Sequence, residues 1–138
     1  MIAVVLAGDR TKKDSLIRHT QAGCKALIEI DGIPMVRRVL NALQQSKAVF
    51  KIVLAGPEAH EVALDKPLSE MIASEEISWR APEASPSASA FHTMQSLEPD
   101  TPVLLTTADH PLLTREVVDA FSRQSLADDV ALNRLVAA

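Results

Sequence analysis

Ile2-Ala3-Val4-Val5-Leu6-Ala7-Gly8-Asp9-Arg10 is the stretch whose reading decides the fold. Residues Ile2 to Leu6 are apolar without polar alternation, the pattern of a strand covered on both faces, as in a parallel sheet. The run breaks at Gly8 and meets a cation at Arg10. Backbone N–H groups and fixed positive charge converge at such a turn, which suits it to phosphate.

Two further segments repeat the design. Phe50 to Ala55 is a second buried strand ending at Gly56-Pro57, and Val103 to Thr107 a third, ending at Ala108-Asp109-His110-Pro111. The first two are expected side by side with their carboxyl ends on one rim. Helical segments alternate with them, which predicts an α/β fold: a Rossmann-like three-layer αβα sandwich with a mostly parallel sheet. The clearest helix runs from Pro34 to Ser46, with Met35, Val36, Val39, Leu40 and Leu43 on one face and Pro34 at its first position. Ala26 to Ile30 is expected to be extended, ahead of an Asp31-Gly32 turn. Pro67 divides whatever helix lies between Glu58 and Ser74, and Ile77 to Arg80 is a short strand. Ser85-Pro86 reads as an N-cap and first turn, opening a helix that carries Phe91, Met94 and Leu97 inward. Thr114 caps a last helix with Val117, Val118 and Phe121 as its apolar face, and another strand begins near Val130. Asp9 to Gly23 is a long polar connection with almost no periodicity.

With 138 residues, 47% of them apolar and 23% charged, the chain has room for one domain with a real core and little more. No apolar stretch approaches the ~20 residues that span a bilayer, and a signal-peptide pattern is missing from the start, so a cytoplasmic address is expected. Net charge is −4 and the 14 basic residues are spread along the chain. No nucleic-acid partner and no membrane partner are therefore expected, whereas a small anion held by a few local cations is compatible. The single cysteine, Cys24, excludes an internal disulfide, and its preferred reading is a small packing residue.

In an open α/β sheet, ligands bind outside the carboxyl ends of the strands, at a reversal of strand order. At the first such end Gly8 lets backbone approach a ligand, and Arg10 can bond phosphate in bidentate fashion; an ordinary βα turn with solvated charges is the competing reading. Lys25 precedes apolar Ala26-Leu27 and so is directed to one side, although surface lysines are common. Asp109 directly follows a buried strand. A carboxylate there is costly unless solvated or paired, and Mg²⁺ bound to substrate phosphates is one natural partner; capping of the next turn explains it equally well. Ser85 reads as a cap, while Ser89 is open to ligand contact. Gly8-Asp9-Arg10 is neither a P-loop nor a dinucleotide fingerprint.

Taken together, Val4-Val5-Leu6-Ala7-Gly8, Arg10, and Lys25 with Ala26-Leu27-Ile28-Glu29-Ile30-Asp31-Gly32-Ile33-Pro34-Met35-Val36 resemble the opening of the nucleotidyltransferases related to the molybdenum cofactor guanylyl- and cytidylyltransferases. The likeness continues through Ser85 to Ser89 and Asp109-His110-Pro111, and so covers nearly the whole chain in order. The resemblance implies transfer of a nucleoside monophosphate from a nucleoside triphosphate, CTP or GTP, to a phosphate or sugar-phosphate acceptor with release of pyrophosphate. It implies nucleotide binding by Leu6, Ala7, Gly8, Arg10, Lys25, Ser85 and Ser89. Arg10 would hold the β/γ-phosphates, Lys25 would neutralise charge on the α-phosphate, and Asp109 would ligate Mg²⁺. The family pattern has a second glycine where this chain has Asp9, whose charge would repel a triphosphate unless it faces away. Family members also continue past this length, with more of the sheet, the acceptor pocket and a second acidic metal ligand, so the chain is expected to lack the C-terminal part of the fold and to be incomplete or inactive alone. Two other classes fit the same residues: a non-catalytic nucleotide-binding or assembly module, whose open sheet edge is compatible with a homo-oligomer, and a glycosyltransferase-like enzyme using a nucleotide sugar.

Overall fold

A computed structural model describes residues 1–9, 23–127 and 134–136. Its main sheet has five strands, β1 (Ile2–Leu6), β4 (Lys51–Ala55), β5 (Ser78–Arg80), β6 (Val103–Thr107) and β7 (Arg134–Val136), in the order β5-β4-β1-β6-β7. Every pairing in it is parallel. Strand β1 is central, with Ile2 in register with Lys51 on one side and Val103 on the other. Its neighbours explain its composition: both edges are paired and both faces covered, so Ile2 to Val5 are buried and only Leu6, at the carboxyl end, is half-buried. The expected adjacency of β1 and β4 is therefore found. Val130 lies outside the described residues, and the strand expected near it is Arg134–Val136.

Alternation along β1 divides the core in two. Ala3, Val5 and Ala7, with Ile52, Leu54 and Leu104, face the larger cluster, which is closed by α1 (Met35–Gln45), α3 (Lys66–Ala73) and α5 (Arg115–Ala127). Ile2 and Val4, with Val53 and Val103, face the other side, where Met94 of α4 (Pro86–Gln95) and nearby Leu97 pack. Helices thus cover both faces of the sheet, the three-layer arrangement expected. On α1 the inward residues Val36, Val39, Leu40 and Leu43 are completely buried, as their spacing predicts.

Five local expectations are corrected. Residues 25–27 form a 3₁₀ turn, Lys25–Leu27, and extended backbone is confined to β2 (Glu29–Ile30), which pairs with β3 (Ile33–Pro34) across the Asp31-Gly32 turn. Both turn residues have positive φ, 53° and 76°, the type I′ geometry of a two-residue hairpin. Pro34 is paired with Glu29 and stands just outside α1, one residue earlier than expected. Pro67 does not split a helix in two; it lies in the first turn of α3, behind the capping carboxylate of Asp65 and after the one-turn helix α2 (Ala59–Val62). Phe91 is 54% exposed rather than inward, because small residues, Ser89, Ala90 and Thr93, occupy the sheet-facing side of α4 and let it lie close to β1 and β4. Val117 is likewise exposed, while Val118 and Phe121 pack into the core.

Candidate functional site

At β1 the strand order reverses: the chain passes outward to β4 and β5, then returns to place β6 on the opposite side. The connections from β1 and β6 leave in opposite directions, and a cleft opens at their carboxyl ends. Its volume is about 420 Å³. Leu6 to Asp9 form one wall, Lys25 and Ala26 another, Thr107 to Asp109 a third, and Pro86 closes it at the start of α4. Backbone bonds extend the ladders into this floor, with Ala7 N–H donating to Ala55 at 2.8 Å and Ala108 N–H to Leu6 at 2.9 Å. Gly56, at φ 84°, holds the neighbouring strand end so close that a Cβ there would stand 2.8 Å from the Gly8 nitrogen.

Lys25 and Asp109, 84 positions apart, meet across the cleft: Lys25 Nζ lies 2.8 Å from Asp109 Oδ2. Thr107, the last residue of β6 and two positions before Asp109, donates its hydroxyl to Asp109 Oδ1. Partial burial pushes the Asp109 carboxyl up, but the Lys25 ammonium, the Thr107 hydroxyl and the nearby His110 outweigh it and hold the group below its ordinary value. Asp109 is thus an ionised carboxylate, fixed in orientation and about one third exposed. A single carboxylate of this kind fits Mg²⁺, which keeps several waters and takes one or two protein carboxylates beside substrate phosphates.

Asp9 is turned toward the loop's far end, where its Oδ1 accepts the Lys25 backbone N–H at 3.2 Å. Its carboxylate, the Cys24 thiol and the Glu61 carboxylate lie within 4.8 Å of one another. Burial, a hydrogen bond with Glu61 and the charges of Glu61 and Asp9 push the Cys24 thiol up to about 12, so Cys24 is a protonated packing residue.

The remaining expected residues fall in different places. Leu6, Ala7, Gly8 and Lys25 line the cleft, and Arg10 lies outside the described residues. Ser85 and Ser89 border a narrow recess beside Gly8 and Asp9. Ser85 Oγ accepts from Ala88 N–H at 3.1 Å, the cap expected, and buried Ser89 Oγ accepts from Glu83 N–H at 2.9 Å. Sequence reasoning missed Thr107 and Pro86 as members of the site. The signal for Thr107 was its two-residue spacing from Asp109 at a strand end. Beyond Asp109 a second, largely apolar cleft of about 410 Å³ lies between the end of β6 and α5, with His110, Leu112, Val117 and Phe121 on its walls.

The model of the MobA-like NTP transferase domain matches residues 3–135. The chain belongs to this family. Solved structures with the same fold include a 4-diphosphocytidyl-2C-methyl-D-erythritol synthase from Anaerococcus prevotii, 14% identical at a TM-score of 0.67, with 92% of this chain and 51% of that one covered. A CMP:2-keto-3-deoxy-manno-octonic acid synthetase complexed with CTP is 15% identical at a TM-score of 0.64, covering 94% and 48%. A nucleotidyl transferase from Methanothermobacter thermautotrophicus is 15% identical at 0.62, covering 89% and 57%. The family's NTP transferase fold is therefore present over a chain that spans about half the length of these structures. Comparison with curated proteins yields no match. Among the described residues, no helix is long and apolar enough to cross a membrane.

Proposed function

We propose that this member of the MobA-like family binds a nucleoside triphosphate, CTP before the others, together with Mg²⁺ in the cleft at the carboxyl ends of β1 and β6. One observation carries the reading: the Lys25 ammonium and the Asp109 carboxylate meet at 2.8 Å over the glycine-ended strand at the point where strand order reverses. A cation for phosphate and an anion for a metal are thus at hand in one cleft, over backbone that can approach a ligand closely. The choice of CTP is supported by the CTP bound to one structural neighbour and by the cytidyl group in the name of another.

In the proposed reaction an oxygen of a phosphate or sugar-phosphate acceptor forms a bond to the α-phosphorus. The bond from that phosphorus to the bridging oxygen of pyrophosphate breaks, and pyrophosphate leaves with the electron pair. Such chemistry needs positioning and charge neutralisation rather than a covalent enzyme group. Ala7 and Gly8 would hold the nucleotide through backbone atoms, and Lys25 would neutralise charge growing on the α-phosphate. Thr107 would keep Asp109 oriented. Mg²⁺, when bound at Asp109, would supply Lewis-acid stabilisation of phosphoryl oxygens.

Calorimetric titration with CTP, GTP, ATP and UTP in Mg²⁺ tests the binding claim, and absence of heat with all four would sink it. Release of pyrophosphate on adding phosphorylated acceptors tests turnover by this chain alone.

A further inference from the structure

We infer that Asp9 is a positioning residue that sets Lys25 in place, and that its carboxylate serves the cleft rather than opposing an anion in it. The inference rests on the nucleotide reading of the cleft only for its second measurement.

The turn Lys25–Leu27 begins without a side-chain cap of its own, because its N-cap residue is Cys24 and makes no capping hydrogen bond. The first N–H groups of a helical turn have no intrahelical acceptor and need one from elsewhere. Asp9 supplies it across sixteen positions of chain: Oδ1 accepts the N–H of Lys25 itself. A carboxylate accepting a backbone N–H at the start of a turn is the interaction an Asp N-cap provides locally, here delivered from the end of β1. The two ends of the connection after β1 that the structure describes, Asp9 and Lys25, are thereby clamped together.

The side chain of Lys25 leaves from the residue so fixed, and its ammonium lands 2.8 Å from Asp109 in the turn after β6. Three cleft walls are thus linked through one residue, Asp9 by its backbone N–H and Asp109 by its Nζ. The orientation of Asp9 fits this role, since its carboxylate lies within 4.8 Å of the Cys24 thiol, next to Lys25, and of Glu61 in α2. Like-charge repulsion with a triphosphate acts least when a carboxylate is turned aside and already accepts a hydrogen bond.

The test compares Asp9→Ala, Asp9→Asn, Lys25→Ala and the double variant Asp9→Ala/Lys25→Ala by amide hydrogen exchange without ligand and by titration with CTP and Mg²⁺. Asp9→Ala should speed exchange at the Lys25 amide about tenfold and weaken CTP binding about fivefold, the loss of one hydrogen bond. Asp9→Asn, which keeps an acceptor oxygen and drops the charge, should restore both to within about twofold of wild type. In the Lys25→Ala background Asp9→Ala should leave CTP affinity unchanged, because the backbone N–H that Asp9 holds remains but the ammonium it positions is gone. Tighter CTP binding by both Asp9 variants would overturn the inference in favour of repulsion, and an unchanged Lys25 amide in Asp9→Ala would overturn the clamp. Should wild type give no heat with CTP, GTP, ATP or UTP, the nucleotide reading fails and amide exchange alone decides the clamp. If Asp9→Ala does not fold, a folded Asp9→Asn with a protected Lys25 amide supports the inference, and one with an unprotected amide overturns it.

Discussion

Replacing Lys25 by Ala separates two energies that the ligand-free cleft holds against each other. The Lys25–Asp109 pair has an ideal distance of 2.8 Å, yet its side chains are 33% and 37% exposed. Solvent screens such a pair, so its loss should cost the fold less than about 1 kcal/mol. Against phosphate oxygens the same ammonium would make charge-assisted bonds worth about 1.5–3 kcal/mol. Binding must first release Lys25 from Asp109, so the net loss in Lys25→Ala is about 1–2 kcal/mol, or ~5- to 30-fold in Kd. Calorimetry with CTP and Mg²⁺ at fixed ionic strength reads this directly, because screening changes with salt. Asp109→Asn sharpens the test by weakening the hold on Lys25 while leaving its ammonium present. Free CTP, titrated in EDTA, should then bind about two- to fivefold more tightly than to wild type, while the gain on adding Mg²⁺ shrinks. A Lys25→Ala affinity within twofold of wild type would refute the placement of phosphate beside Lys25, whatever the fold's stability.

Leu40→Ala, at a completely buried position of α1, should lower unfolding free energy by about 2–5 kcal/mol in urea titration. Gly56→Ala should cost more than about 1 kcal/mol, because φ 84° disfavours a Cβ that would also press on Gly8 and Ala7; CTP affinity should fall with it, since the displaced backbone is the cleft floor. The stabilising effect of Lys25 on the fold should depend on pH. Asp109 has a lowered carboxyl pKa in the folded chain, so its contribution is present above the ordinary aspartate value near ~3.9 and is lost as pH falls through the lower folded value. Urea midpoints of wild type and Lys25→Ala should therefore differ slightly at neutral pH and converge in acid; a gap that widens in acid would contradict the assignment.

The strands β1, β4 and β6 were legible because burial on both faces leaves a continuous apolar signature, and a glycine or aspartate stop marks each end. Lys25 and Asp109 could be singled out by residue type and position, but their meeting depends on strand order, which a linear pattern does not carry. The 3₁₀ turn at Lys25 was hidden because Ala26-Leu27-Ile28 has the same composition as a short strand. Phe91 misled for a related reason: aromatic bulk suggests burial, whereas α4 packs through Ala90 and Thr93 so as to lie close to the sheet. Asp9 read as a charge in the path of phosphate until the backbone placed the Lys25 N–H in front of it. Composition could register that charge but not its direction.

The central place of β1 also bears on the order in which the chain can fold during synthesis. The strand leaves the ribosome ahead of both its partners, Lys51–Ala55 and then Val103–Thr107. At about 5–20 residues per second, β1 waits roughly 5–20 s before both of its edges can be covered. Through that interval an apolar strand with two open edges must be shielded by transient contacts or by chaperones. The same central position that gives the finished cleft a floor paired on both edges leaves β1 open to misassociation until β6 is made.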